Sequence, residues 1–147
     1  MDIAKCLTVI ESLCAREFPT AHGSTERGES GPGFHIAALR TSGDFWDGDA
    51  ADREDAAAQY EADRDGLTEL LTGRWGPPQC FSLRGVFLRT LEGEEIDEPW
   101  AGLSEHVPDV HLWQAPVPGR WFALGVSQGY EELPFQLLGI VTEIDPP

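Results

Sequence analysis

Apolar side chains recur at Ile3, Leu7, Ile10, Leu13 and Cys14, spacings of three and four that match the helical period. Asp2 stands at the capping position and Pro19 closes the pattern, so a helix is predicted over 2–18. Residues 20–33, Thr-Ala-His-Gly-Ser-Thr-Glu-Arg-Gly-Glu-Ser-Gly-Pro-Gly, carry no period and read as a flexible loop. The short apolar run from Phe34 to Leu39 predicts a strand. A second helix is predicted over 51–73, with an inner stripe of Tyr60, Leu67, Leu70 and Leu71 and acids on its outer face. Gly73 reads as its terminator, and Arg74-Trp75-Gly76-Pro77-Pro78 as a hard turn.

Beyond Pro78 the period shortens. Residues 79–91 read as a strand bending at Gly85, 91–95 as a turn, and 97 onward as a short helical segment ending before Pro108. Strands are predicted over 110–115 and 120–127, joined by Pro116-Val117-Pro118-Gly119, and over 135–144. Helix, strand, helix, then a run of strands predicts an α+β fold: an antiparallel sheet with two main helices packed on one face. At 147 residues one domain spans 1–147 and has room for a sizeable core.

Charge changes the picture. Asp and Glu number 26 against 10 Lys and Arg, a formal charge of −16. Asp44 to Asp65 holds nine acids and two arginines, and Glu92 to Asp109 holds seven acids and no Lys or Arg. Such a surface repels nucleic acid and anionic membranes and attracts basic proteins and cations. No run approaches the roughly 18 apolar residues of a membrane helix. The first residues lack a basic stretch followed by an apolar run, so no signal peptide is expected and the protein is placed in the cytoplasm. Three cysteines without C-x-x-C spacing fit reduced, buried thiols, with Cys80 read as buried in a strand. Nine Arg to one Lys, with abundant Ala, Gly and Pro, indicates a GC-rich genome.

Candidate chemistry is sparse. Asp44, Asp47, Asp49, Asp52 and Asp55 crowd one loop and helix start, as hard cations require. Their spacing lacks the glycine and terminal glutamate of a calcium loop, and acids at a helix start are favoured by the helix dipole without any metal. No cofactor is expected. Ser104-Glu105-His106 sets hydroxyl, acid and imidazole side by side, but no nucleophile-elbow pattern surrounds them. His111 alternates with Leu112 and so shares a strand face with Trp113, which fits a structural histidine. No catalytic signature emerges, and the chain is read as a non-enzyme. Phe45-Trp46 sits in the first acidic cluster and Trp100 in the second, the pattern of an apolar anchor inside a charged rim.

The stretch Leu70-Leu71-Thr72-Gly73-Arg74-Trp75-Gly76-Pro77-Pro78 closing an acidic helix, with Pro134-Phe135-Gln136-Leu137-Leu138-Gly139-Ile140-Val141-Thr142, resembles small acidic uncharacterised proteins of actinobacteria. In general character the chain is similar to immunity proteins that neutralise bacterial toxins, a resemblance carried by no diagnostic motif. It implies an inhibitor that occludes a basic partner such as a toxin or nuclease. On that reading Trp46 and Trp100 insert as anchors, while Asp44, Asp47, Asp49, Glu94, Glu95, Asp97 and Glu98 meet Arg or Lys. The two acidic segments must then share one face. Two alternatives stand beside it: an accessory or regulatory interaction domain, and a divalent-metal protein or small metal-dependent enzyme using the first cluster. The oligomeric state is left open by the sequence.

Overall fold

The computed structural model describes residues 3–25, 28–41, 50–127 and 135–147. Helix α1 (Ile3–Ala15) is followed by strands β1 (Gly23–Thr25), β2 (Gly28–Gly31) and β3 (Phe34–Thr41). The long helix α2 (Ala50–Trp75) leads to β4 (Gln79–Ser82), then the short helices α3 (Arg84–Leu91) and α4 (Trp100–Ser104). Strands β5 (Asp109–Gln114), β6 (Trp121–Ser127) and β7 (Gln136–Thr142) complete the order. All seven strands form one sheet, β1-β2-β3-β7-β6-β5-β4, and every neighbouring pair is antiparallel. The protein is an α+β fold, and α1 and α2 pack together on one face of the sheet.

Alternation along the central strands explains the layers, because successive side chains point to opposite faces. Phe122, Leu124 and Val126 of β6 and Leu137 of β7 meet Cys6, Ile10 and Cys14 of α1 and Tyr60, Leu67 and Leu71 of α2. Ala123, Leu138 and Ile140 face the other way, toward Leu83, Val86, Trp100 and Leu103. The second face is therefore covered as well, by α3 and α4. Both faces of β6 and β7 are buried, which is why these strands read as nearly continuous apolar runs.

Four details differ from the sequence reading. Residues 20–33 hold β1 and β2 rather than a loop: Ser30 pairs with His35 and Gly28 with Ala37, so polar residues extend the sheet at its edge. Leu70 is exposed, while Tyr60, Leu67 and Leu71 are buried as the inner stripe. The helix runs through Gly73, and Gly76 is the terminator, with φ of 90° and its N–H donating to Thr72 O at 2.9 Å. The predicted strand 79–91 stops at Ser82. Its second half is α3, whose entry is fixed by the Leu83 N–H donating to Pro108 O at 2.9 Å.

One irregularity redirects a charge. The β3–β7 register slips between Ala38 and Arg40, a bulge that leaves Leu39 and Arg40 both turned toward the α1–α2 layer. The Arg40 guanidinium lies 4.7 Å from the centre of the Tyr60 ring and pairs with Asp63.

Candidate functional site

Helix α3 is amphipathic by necessity, being eight residues laid against a sheet. Leu83 and Val86 sink into the layer it shares with α4, at 0% and 3% exposure. Leu88 and Leu91, three residues apart on the opposite side, are then forced outward. At 53% and 68% they are the most exposed large apolar side chains among the described residues.

The acidic run begins where α3 ends. Gly93, at φ of 95°, turns the chain, and the Glu94 N–H donates to Arg89 O at 3.1 Å. Glu94 is paired with Arg89 at 2.5 Å, and Glu98 Oε2 accepts the Gly102 N–H at 3.0 Å. Glu95 and Asp97 are exposed, with no side-chain partner among the described residues. The last carbonyls of α3 add the negative end of a helix dipole to the same spot. With exposed Glu92, two apolar side chains thus stand beside a run of five carboxylates, two of them held and three available.

Trp100 does not belong to this surface. It is fully buried at the start of α4, its Nε1–H donates to Ile144 O at 3.0 Å, and its ring meets Phe81 edge-on at 6.0 Å. Trp100 and Leu103, three apart, form the inward stripe of α4, so the expectation that Trp100 anchors a partner is corrected. Asp44, Trp46, Asp47 and Asp49 lie outside the described residues. The rest of the first acidic segment, including exposed Glu54, Asp55 and Glu61, runs along α2 on the opposite side of the sheet from Glu94, Glu95, Asp97 and Glu98. Over the described residues the two acidic segments meet only at Arg64, which pairs with Asp65 and Asp109, while Glu54, Asp55 and Glu61 lie across the sheet from residues 94–98.

His35, His106 and His111 each meet a hydroxyl, the last two from distant parts of the chain, while His22 meets the Glu29 carboxylate. His106 Nδ1 meets Ser127 Oγ at 2.7 Å, whereas neighbouring Ser104 donates to Ala101 O at 2.6 Å, so the local Ser-Glu-His triplet does not converge. His111 Nδ1 meets Thr68 Oγ1 of α2 at 2.8 Å. His35 Nε2 lies 2.9 Å from Glu17 O and must donate to it, which leaves Nδ1 to accept from Ser30 Oγ at 2.6 Å. Burial lowers the pKa of all three imidazoles. Among the described residues no three His, Cys, Asp or Glu side chains are grouped to hold a metal ion.

The thiols divide by position. Cys6 and Cys14 are buried under α1, and desolvation pushes the Cys14 thiol up to about 11. Cys80, expected to be buried, is exposed because β4 is an edge strand. In the native protein an excess of a thiol-reactive chromogenic disulfide is expected to modify one cysteine, Cys80, quickly. The other two should react only with unfolding, and a Cys80→Ser variant should lose the fast phase.

No protein-family model, curated protein or solved structure matches this chain.

Proposed function

We propose that this is a non-enzymatic protein-binding domain that docks a basic partner through the α3–α4 surface and acts by occlusion. The observation that carries the reading is the exposure of Leu88 and Leu91 directly beside Glu92, Glu94, Glu95, Asp97 and Glu98. The leucines supply desolvated anchor area, and the carboxylates with the α3 C-terminus supply the field that steers a cation-rich surface into register. Held in place by Arg89 and the Gly102 N–H, Glu94 and Glu98 form a pre-set part of the rim. An enzyme that handles nucleic acid presents the cationic cleft such a surface would cover, in the manner of a toxin-neutralising immunity protein. Asp44, Trp46, Asp47 and Asp49 enter this proposal only through their sequence.

The test uses immobilised protein and a lysate of the source bacterium, eluted with a salt gradient. One basic protein retained to moderate salt, and inhibited in its own activity by the free domain, is the expected result. Each leucine buried by a partner contributes up to about 2 kcal/mol, so Leu88→Ser with Leu91→Ser is expected to weaken that complex by ~100-fold or more. Equal retention by the double variant, or only diffuse low-salt binding of many basic proteins, would overturn the proposal.

A further inference from the structure

On the other side of the sheet, a groove of about 1080 Å³ runs between α1 and strands β1–β3. Its α1 wall is a second helical stripe, Lys5, Val9 and Ser12, continued by Arg16 just past the helix end, at spacings of four, three and four. This stripe stands beside the buried stripe of Cys6, Ile10 and Leu13 and faces out of the core. The middle of the groove is apolar, with Val9 on the wall and Ala37 and Leu39 on the floor. Both ends carry positive charge. Lys5 and Arg16 are eleven residues apart, about 16 Å along a helix. Arg40, brought to this side by the β3 bulge, also lines the groove.

The sign of this charge opposes that of the whole protein. Among the described residues the lining holds Lys5, Arg16 and Arg40 against one acid, Glu29, in a chain of formal charge −16. The charges are not equally available. Glu29 is bonded to His22 at 2.5 Å, and Arg40 is shared with Asp63 and Tyr60. The exposed Arg16 guanidinium has no hydrogen-bond partner among the described residues. Arg120 lies at the same end, donating from Nη1 to Cys14 O at 3.1 Å and to Arg16 O at 2.5 Å. The charges acting on buried His35 on the groove floor are Arg16 and Arg120, both positive. His35 itself is held neutral, with Ser30 and Glu17 O fixing its ring. Arg16 is thus positioned to receive an anionic head group, and the apolar middle to receive the body attached to it.

We propose that the α1–β3 groove is a binding site for a small organic anion with an apolar body, its carboxylate or phosphate head on Arg16 and its body over Val9, Ala37 and Leu39. The site is separate from the α3–α4 surface and does not depend on that reading. The volume exceeds what a single inorganic anion fills, and the cationic ends disfavour neutral or cationic lipids. A carboxylate and a phosphate monoester share the required chemistry, and the choice between them falls to measurement.

Calorimetric titration with dodecanoate and with dodecyl phosphate, below micelle formation and at physiological ionic strength, tests the site. Saturable one-to-one binding of at least one of them is expected, and the tighter ligand identifies the head group. Arg16→Gln is expected to weaken it at least tenfold, and Ala37→Trp to abolish it by filling the floor. The Leu88→Ser, Leu91→Ser variant should bind unchanged, which separates the groove from the exposed leucines. No saturable binding, or equal affinity for dodecanol or dodecyltrimethylammonium, would overturn the proposal. So would an affinity untouched by Arg16→Gln, or binding of a glutamate-rich peptide without binding of either amphiphile.

Discussion

Trp100→Ala is expected to lower the stability of the folded protein by about 3–5 kcal/mol, although acids surround the residue in sequence. The indole is 0% exposed, its ring edge packs on Phe81, and its N–H satisfies the Ile144 carbonyl at 3.0 Å. Truncation would open a cavity between α4 and the sheet and leave that carbonyl without its partner. Domains of this size have total stabilities of roughly 5–15 kcal/mol, so the loss should appear as a fall in Tm of roughly 10 °C. Trp100→Phe keeps most of the packing and is expected to cost about 1–3 kcal/mol, chiefly for the lost hydrogen bond. Urea denaturation of the three proteins measures both numbers. A change within about 0.5 kcal/mol for Trp100→Ala would mean that the indole is not buried in solution. At temperatures where Trp100→Ala remains folded it should still bind a partner, because Leu88 and Leu91 are unaltered.

Acidification from pH 7 to pH 5 is expected to destabilise the protein through its three hydroxyl-bonded histidines. Desolvation is the largest cause of the lowered pKa at His35, His106 and His111. Arg16 and Arg120 reinforce it at His35 against the Glu17 carbonyl, and Arg64 at His111 against Asp65 and Asp109, whereas Glu105 and Glu29 oppose it at His106. Lowered pKa values in the folded state mean that the unfolded chain binds more protons below about pH 6.5. The contribution is therefore complete above about pH 6.5 and is lost as pH falls from there toward the folded-state pKa values. Each histidine contributes a slope of at most about 1.4 kcal/mol per pH unit. His35, at 2% exposure, should contribute most, so His35→Gln is expected to flatten the profile. Equilibrium unfolding at intervals of half a pH unit gives the slope, and a flat profile would rule out the mechanism.

Where a segment had one buried face and enough length, its period survived in the sequence. The stripes of α1 and α2 and the two-sided apolar runs of β6 and β7 were legible for that reason, and with them the α+β class. Short or peripheral elements were not. The β1–β2 pair lies at the sheet edge and is built from Gly, Ser, Thr and Glu, so it shows no alternation to detect. Helix α3 combines Val86, Phe87, Leu88 and Leu91 in an order that suits a strand as well as a helix. A contact 25 residues away, Leu83 N–H to Pro108 O, fixes its start, and such a contact has no local signal. The same misreading hid Leu88 and Leu91. On a strand they would fall on opposite faces, whereas on a helix they stand together. Trp100 shows the converse: charge density describes a segment, while burial is decided position by position. Arg16 was passed over because a groove cannot be read from one wall.

Strand β7 has a consequence for how the chain acquires its structure during synthesis. It lies at the centre of the sheet, with β3 on one side and β6 on the other. Thr41, the last residue of β3, leaves the ribosome 95 residues ahead of Gln136, the first residue of β7, a delay of roughly 5–20 s at elongation rates of about 5–20 residues per second. Through that interval the β3 edge stands open, and the second half-sheet, β4–β6, is complete only from Ser127, nine residues before β7 begins. Closure comes as a single late event when one strand slots between them. A nascent chain paused within that interval would be a better chaperone client than the finished protein.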